Sequence, residues 1–204
     1  LRCDSLRDLF LPCVVSIGSS AFSFCKNLKS VSMPYINEMK GGVFGYCSSL
    51  DSIVIPKELT KINGTFCDCT SLKCITIGEN VDTIANVSFR NCISLRKIYC
   101  MNPKPAVVIK NAFFGVNIDS CKLIVPKGAL TSYASANIWS DFKQIEEAET
   151  VVLTNHPKRT CPSINVSNGV ITIGDMPLGS VAEIYTLSGK PIGTLRAGNN
   201  NSVR

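Results

Sequence analysis

Thiols are the side chains of this chain best equipped to do chemistry, since it carries 11 cysteines against a single histidine. A thiolate can act as a nucleophile, ligate zinc or close a disulfide. Spacing decides among these. Cys3, Cys25, Cys47, Cys69 and Cys92 recur at almost equal intervals. Zinc needs four ligands converging on a point, and equal intervals lay residues out in a line instead. Cys67 and Cys69 are separated by one residue, not by the two usual in zinc sites. Catalysis by a thiol or hydroxyl needs a base, and His156 sits beside Pro157 with no patterned nucleophile near it. A solvent-exposed loop histidine is the better reading. No glycine-rich phosphate loop occurs either. The sequence therefore offers no catalytic residue, no metal site and no cofactor. The five in-phase cysteines read as a packing column, because free Cys behaves as a small buried hydrophobe. Disulfides between neighbours, or among the off-phase Cys13, Cys67, Cys74, Cys100, Cys121 and Cys161, are the alternative.

The elements that set this spacing are repeats. Ala21-Phe22-x-x-Cys25-x-x-Leu28-x-x-Val31-x-Met33-Pro34 returns as Val43-Phe44-x-x-Cys47-x-x-Leu50-x-x-Ile53-x-Ile55-Pro56. It returns again from Thr65-Phe66 to Gly78 and from Ser88-Phe89 to Cys100. Phe22, Phe44, Phe66 and Phe89 are 22, 22 and 23 residues apart. A fixed period of this size means a solenoid, one supersecondary unit stacked on its own copies. Leu28-x-x-Val31-x-Met33 alternates as a short strand, and Pro34 ends it because proline cannot donate to a ladder. A second apolar segment, such as Val81-x-x-Ile84, precedes each Phe turn. Recurrence at one phase predicts a Phe column inside the stack, beside the cysteines. The turn from Ile62 to Phe66 is one residue short, a change that loops absorb more easily than strands.

After Cys100 the pattern decays through Met101-Asn102-Pro103-Lys104-Pro105, then recovers at Phe113 and at Cys121-x-Leu123-x-Val125-Pro126. Residues 128–137 read as a short helix, and Trp139 to Ile145 as the closing segment. A solenoid end exposes unpaired strand groups and apolar surface, so Trp139 reads as a cap residue.

Charge narrows the partners. The net charge is +6 and the sequence pI near 8.8. The 21 basic residues are scattered, without the run or basic–aromatic stripe of a nucleic-acid surface. No stretch approaches the ~18 apolar residues of a membrane span. Leu1 to Pro12 already matches the second half of a repeat, so the array is expected to begin upstream of Leu1, with any export signal upstream as well.

The unit x-Ile-x-x-x-Ala-Phe-x-x-Cys-x-x-Leu-x-x-Ile-x-Ile-Pro resembles the BspA-like leucine-rich repeats of bacterial surface and secreted proteins. The ending Leu123-Ile124-Val125-Pro126-Lys127-Gly128, then Tyr133, Trp139, Phe142 and Ile145, is similar to that family's C-terminal cap. The resemblance covers about residues 1–146. It implies a mostly β chain: a leucine-rich-repeat solenoid of about five to six rungs with a capping helix. It also implies export, cell-surface or secreted localisation, no enzymatic activity, and adhesion to host extracellular or matrix proteins such as fibronectin and fibrinogen, to other cells or to glycans.

Residues 147–204 lose the period. Glu146 to Ala148 reads as an acidic hinge, followed by short strands at Val151–Leu153, Ile164–Val166, Val170–Ile173 and Ala182–Leu187, with turns at Asn168-Gly169 and Ser188-Gly189. These predict a small β-sandwich-like module. The stretch from Val181 to Ile192 is similar to C-terminal sorting domains of type IX secretion, and a plain accessory module is the alternative.

Within each strand, residues between the buried ones point outward. One outward column is Phe10, Ser32, Val54, Thr76, Tyr99 and Ile124, and Lys97 lies in the flanking column. These seven residues are the candidate binding site, with Tyr99 as an aromatic anchor. The expected function is recognition of a protein or glycan through this strand face. A structural spacer in a larger surface protein, or an accessory domain of a hydrolase, are the alternatives.

Overall fold

The computed structural model describes residues 3–148 throughout and, beyond them, residues 163–167, 170–174, 181–185, 191–196 and 202–203. Two kinds of strand alternate along the first part: β1 (Asp8–Phe10), β2 (Ser16–Ile17), β3 (Ser30–Ser32), β4 (Glu38–Met39), β5 (Ser52–Val54), β6 (Lys61–Ile62), β7 (Cys74–Ile77), β8 (Thr83–Ile84), β9 (Lys97–Cys100), β10 (Val107–Val108) and β11 (Lys122–Val125). A helix α1 (Leu130–Ser135), a 3-10 turn (Trp139–Asp141) and β12 (Gln144–Glu147) close the array. All pairing here is parallel, each strand meeting its counterpart one repeat away. The odd-numbered strands and β12 form a wide face, in which β5, β7, β9, β11 and β12 make one continuous sheet. The two-residue even-numbered strands form a narrow face. The chain is thus a solenoid, as the period predicts, of the leucine-rich-repeat type that the resemblance implies.

The Phe column forms the spine of the core. The rings of Phe22, Phe44, Phe66, Phe89 and Phe113 stack with centroids 5.7, 5.8, 5.7 and 5.3 Å apart and nearly parallel planes. Phe22, the first ring of the stack, is only partly buried. At the other end Trp139 and Phe142 meet Phe113 edge-on, at 5.8 and 5.5 Å. Their edge-to-face contact ends the parallel stack and suits the ring quadrupoles. Trp139 Nε1 donates to the Ala106 carbonyl at 2.8 Å and the Tyr133 hydroxyl to that of Asn102 at 2.8 Å. Both large aromatics are therefore buried with their polar atoms satisfied, as a cap requires.

The cysteine column lies beside this spine and is held by hydrogen bonds. The thiols of Cys47, Cys69 and Cys92 donate to the carbonyls of Phe22, Phe44 and Phe66, one rung earlier, at 3.1, 3.1 and 3.2 Å. Each thiol thus couples its rung to the previous one, besides filling space. Cys3, expected in the buried column, is exposed instead. No column member is oxidised, and Cys13 alone among the described cysteines is disulfide-bonded.

Two acidic residues read from sequence as a hinge are strand instead. Glu146 and Glu147 pair with Ile124 and Val125 in β11. Glu147 also supplies what α1 lacks. The helix has no side-chain cap of its own, and the Glu147 carboxylate accepts from the backbone amides of Gly128 and Leu130 at 2.9 and 3.2 Å. Those amides have no intrahelical partner, and the helix dipole favours a carboxylate there. Glu147→Ala is expected to lower stability by about 1 kcal/mol, as loss of an N-cap does, measured by urea denaturation. Glu147→Gln should recover part of that loss.

Contacts divide the chain into Leu1–Leu153 and Thr154–Arg204. In the second unit β13 (Ser163–Ser167), β14 (Val170–Gly174) and β17 (Ser202–Val203) form one antiparallel sheet, and β15 (Val181–Tyr185) pairs with β16 (Pro191–Arg196). The strand expected at Val151–Leu153, the two turns, Leu187, His156 and Cys161 lie outside the described residues.

Candidate functional site

The wide face holds the predicted residues in two sheets, β1 with β3, and β5 with β7, β9, β11 and β12. Phe10 lies opposite Ser32. Val54, Thr76, Tyr99 and Ile124 lie opposite one another across β5, β7, β9 and β11, and Glu146 completes the row. Lys97 sits in the flanking row, between Cys74 and Lys122. Parallel in-register pairing makes a sequence column a spatial one, because strand residues alternate between the faces. Phe10 and Val54 are 52% and 51% exposed, whereas Ser32, Thr76, Tyr99 and Ile124 are half-buried by their neighbours in the row. Charged pairs border it. Lys122 Nζ lies 2.8 Å from Glu146 and Lys73 Nζ 3.0 Å from Asp51, and all four side chains are solvent-exposed. Such pairs contribute little to stability, so they shape the potential of the face more than its fold.

A second exposed feature was not legible from the recurring residues. Each Phe turn has two positions in left-handed backbone. Two residues before the ring stand Ser20, Gly42, Gly64, Val87 and Asn111, with φ between 54° and 70°. Two residues after it stand Phe24, Tyr46, Asp68, Asn91 and Gly115, with φ from 58° to 82°. This conformation suits Gly and, less well, Asn or Asp. Gly, Asn and Asp recurring at a fixed phase were the available signal. Phe24 and Tyr46 break that preference. Their rings stack on each other at 4.4 Å and 2°, and the residues stay 45% and 44% exposed. On the next rung Asp68 accepts from the Cys67 thiol at 2.9 Å and from Asn91 Nδ2 at 2.8 Å. Partial burial works to raise the Asp68 pKa, but these two donors and the nearby Arg90 charge outweigh it and hold the carboxyl below its ordinary value.

The buried thiols of the column are held protonated. Burial raises the pKa of Cys47 and Cys92 from the ordinary 9.0 to about 12, and that of Cys69 also well above it. They are neutral at physiological pH, the form least suited to nucleophilic attack. No group of three or more His, Cys, Asp or Glu among the described residues could hold a metal ion. A raised folded-state pKa favours the protonated form in the native state. The contribution is therefore complete below about pH 9 and is lost as pH rises toward 12. We expect urea midpoints to be flat from pH 7 to 8.5 and to fall above 9, by at most ~1.4 kcal/mol per pH unit for each thiol. In native protein at pH 8, a disulfide reagent should modify exposed Cys3 and leave Cys47, Cys69 and Cys92 untouched until denaturant is added.

No helix among the described residues is long and apolar enough to cross a membrane. No curated protein gives a significant sequence match. Among solved structures, a leucine-rich cell surface protein from Faecalibacterium prausnitzii A2-165 matches with 24% identity and a TM-score of 0.46. That match covers 71% of this chain and 32% of the other, so this chain spans about a third of that protein's length. The family model for the BspA type leucine rich repeat region matches residues 1–119 in six copies. With that match over more than half its length, and rungs that stack as the repeat demands, the chain belongs to the BspA-type leucine-rich repeat family.

Proposed function

We propose that this chain is a non-catalytic recognition module, displayed on a cell surface or secreted, whose wide strand face binds a host extracellular or matrix protein. One observation supports the reading: Val54, Thr76, Tyr99 and Ile124 pair in register across β5, β7, β9 and β11, with Lys97 and Lys122 paired in the flanking row, and Phe10 and Val54 are about half exposed. The fold needs apolar residues only on the inner face, where Leu72, Ile75, Leu95, Ile98 and Leu123 are fully buried. An aromatic flanked by aliphatic and basic side chains is the composition of an interface hot spot. Protonated thiols and the nature of the repeat support a binding role over a catalytic one.

The test is solid-phase binding of the full chain to immobilised fibronectin, fibrinogen and other matrix proteins. Tyr99→Ala combined with Lys97→Ala should weaken binding to the recognised ligand at least tenfold, about 1.4 kcal/mol, with an unchanged denaturation midpoint. Unaltered binding to every ligand would overturn this reading and leave the spacer role in its place.

A further inference from the structure

The Phe24–Tyr46 stack lies on the turn edge, in a different part of each rung from the wide sheet. The fold itself does not require aromatics there. Asp68, Asn91 and Gly115 occupy the same position in later rungs with the same left-handed backbone, and each suits that conformation better than Phe or Tyr. With 45% and 44% of their surface still exposed, the rings recover only part of the strain through burial and stacking. Strain that the fold does not require points to function. The stack also fixes the rings: at 4.4 Å and 2° each ring holds the other in one orientation, so a ligand meets a pre-organised surface.

The row then changes character in one step. Beyond Tyr46 comes Asp68, whose side chain is much shorter than a tyrosine. An aspartate covers less of the Tyr46 ring than a further aromatic would, and among the described rings only Phe24 stacks on Tyr46. The result is a shelf: an aromatic floor with a polar wall of Asp68, Asn91 and Arg90. Asn91 is tied to Asp68 at 2.8 Å, so the wall is as ordered as the floor. Rungs follow at about the ~4.8 Å strand spacing, which sets the wall within reach of a ligand lying on the ring.

Size and chemistry select the occupant. A stable protein interface needs about 800 Å² from each partner, far more than two half-exposed rings provide. A sugar ring needs less: one flat apolar face to lie on an aromatic, and a few fixed donors and acceptors for its hydroxyls. The wall offers carboxylate oxygens, an amide and a guanidinium. Asp68 and Arg90 offset each other, which favours a neutral sugar over an anionic one. We propose that Phe24, Tyr46, Asp68, Asn91 and Arg90 form a binding shelf for neutral hexose units of a glycan, separate from the protein-binding face.

The experiment is affinity electrophoresis of the full chain in gels cast with a soluble β-glucan, a mannan or a galactan, together with an array of neutral and sialylated oligosaccharides. Wild type should be retarded by at least one polysaccharide and should prefer neutral array members. Phe24→Asn with Tyr46→Asn should weaken that binding at least tenfold, while the urea midpoint stays level or rises, because Asn already serves at Asn91. Tyr99→Ala with Lys97→Ala should leave it unchanged, which separates this shelf from the strand face. The proposal is overturned if no glycan retains wild type, or if the double Asn variant binds as well as wild type. A lowered midpoint in that variant would overturn it too, since the rings would then be structural.

Discussion

Phe66→Ala is expected to destabilise the solenoid by about 4 kcal/mol, the range for removing a fully buried Phe. Phe66 is fully buried, and its ring stacks on Phe44 at 5.8 Å and on Phe89 at 5.7 Å. Its loss removes both stacks, each worth ~1 kcal/mol beyond area burial. Relaxation would have to come from neighbouring rungs, which are fixed by parallel pairing on the wide and narrow faces. The site therefore keeps a cavity. In a repeat protein each rung is stabilised by its neighbours, so a break at the centre should do more than lower the midpoint. It should separate unfolding of the rungs before Phe66 from those after it. Chemical denaturation followed by far-UV circular dichroism and by the fluorescence of Trp139 checks this. The two signals should coincide in wild type and diverge in the variant, with the Trp139 half holding longer. Phe22→Ala is the control: that ring has one stacked partner and is partly exposed, so less than half the loss is expected. Equal losses at the two positions would show that the column does not act as a spine.

The second large effect falls on a residue with no side chain. A Cβ added at Gly78 would lie 2.5 Å from the Pro56 carbonyl oxygen, 2.7 Å from its carbonyl carbon and 2.8 Å from the Ile55 oxygen. All three are backbone atoms of the previous rung, so no rotamer change can relieve the contact. Gly78 follows the last residue of β7, and its close approach lets Ile55 N donate to Thr76 O at 2.8 Å and Met101 N to Ile77 O at 3.0 Å on either side. Gly78→Ala must push two rungs apart at this point. We expect a loss of about 3 kcal/mol, the upper range for overpacking, measured as a drop in the urea midpoint. Gly18 is the internal comparison: it has nothing within 4 Å of an added Cβ, so Gly18→Ala should be nearly neutral. If Gly78→Ala were as mild as Gly18→Ala, the close stacking of rungs at this turn would be wrong.

The two predictions differ in how visible they were. Phe66 was identifiable by its type and phase: a large apolar residue recurring every 22–23 residues can only face the core of a stack. Gly78 was not. In the sequence it replaces the Pro34 and Pro56 of earlier repeats and reads as another strand end. Its role depends on how closely one rung approaches the next. The same contrast divides the acidic residues. Glu146 and Glu147 carry a composition that suits a hinge, and only the pairing with β11 turns them into strand, ion pair and helix cap. Phe24 and Tyr46 escaped notice for a different reason. The repeat was read through positions that recur, and these two sit where residue type changes from rung to rung.

By itself the sequence determined which residues face inward, which face outward, and where the stack is capped. Burial recurs with the period, so a column of Phe or Cys in the alignment of repeats becomes a column in space. That logic also gives Val54, Thr76, Tyr99 and Ile124 as one sequence column, and their strands pair in that register. Only the tertiary structure decided how the rungs touch: the thiols donating to carbonyls one turn away, the left-handed backbone on both sides of each Phe, and the aromatic shelf at Phe24 and Tyr46. These depend on distances between atoms about 22 to 26 residues apart in the chain. A period reports that rungs stack, while backbone dihedrals and contact distances appear only once one rung rests on the next.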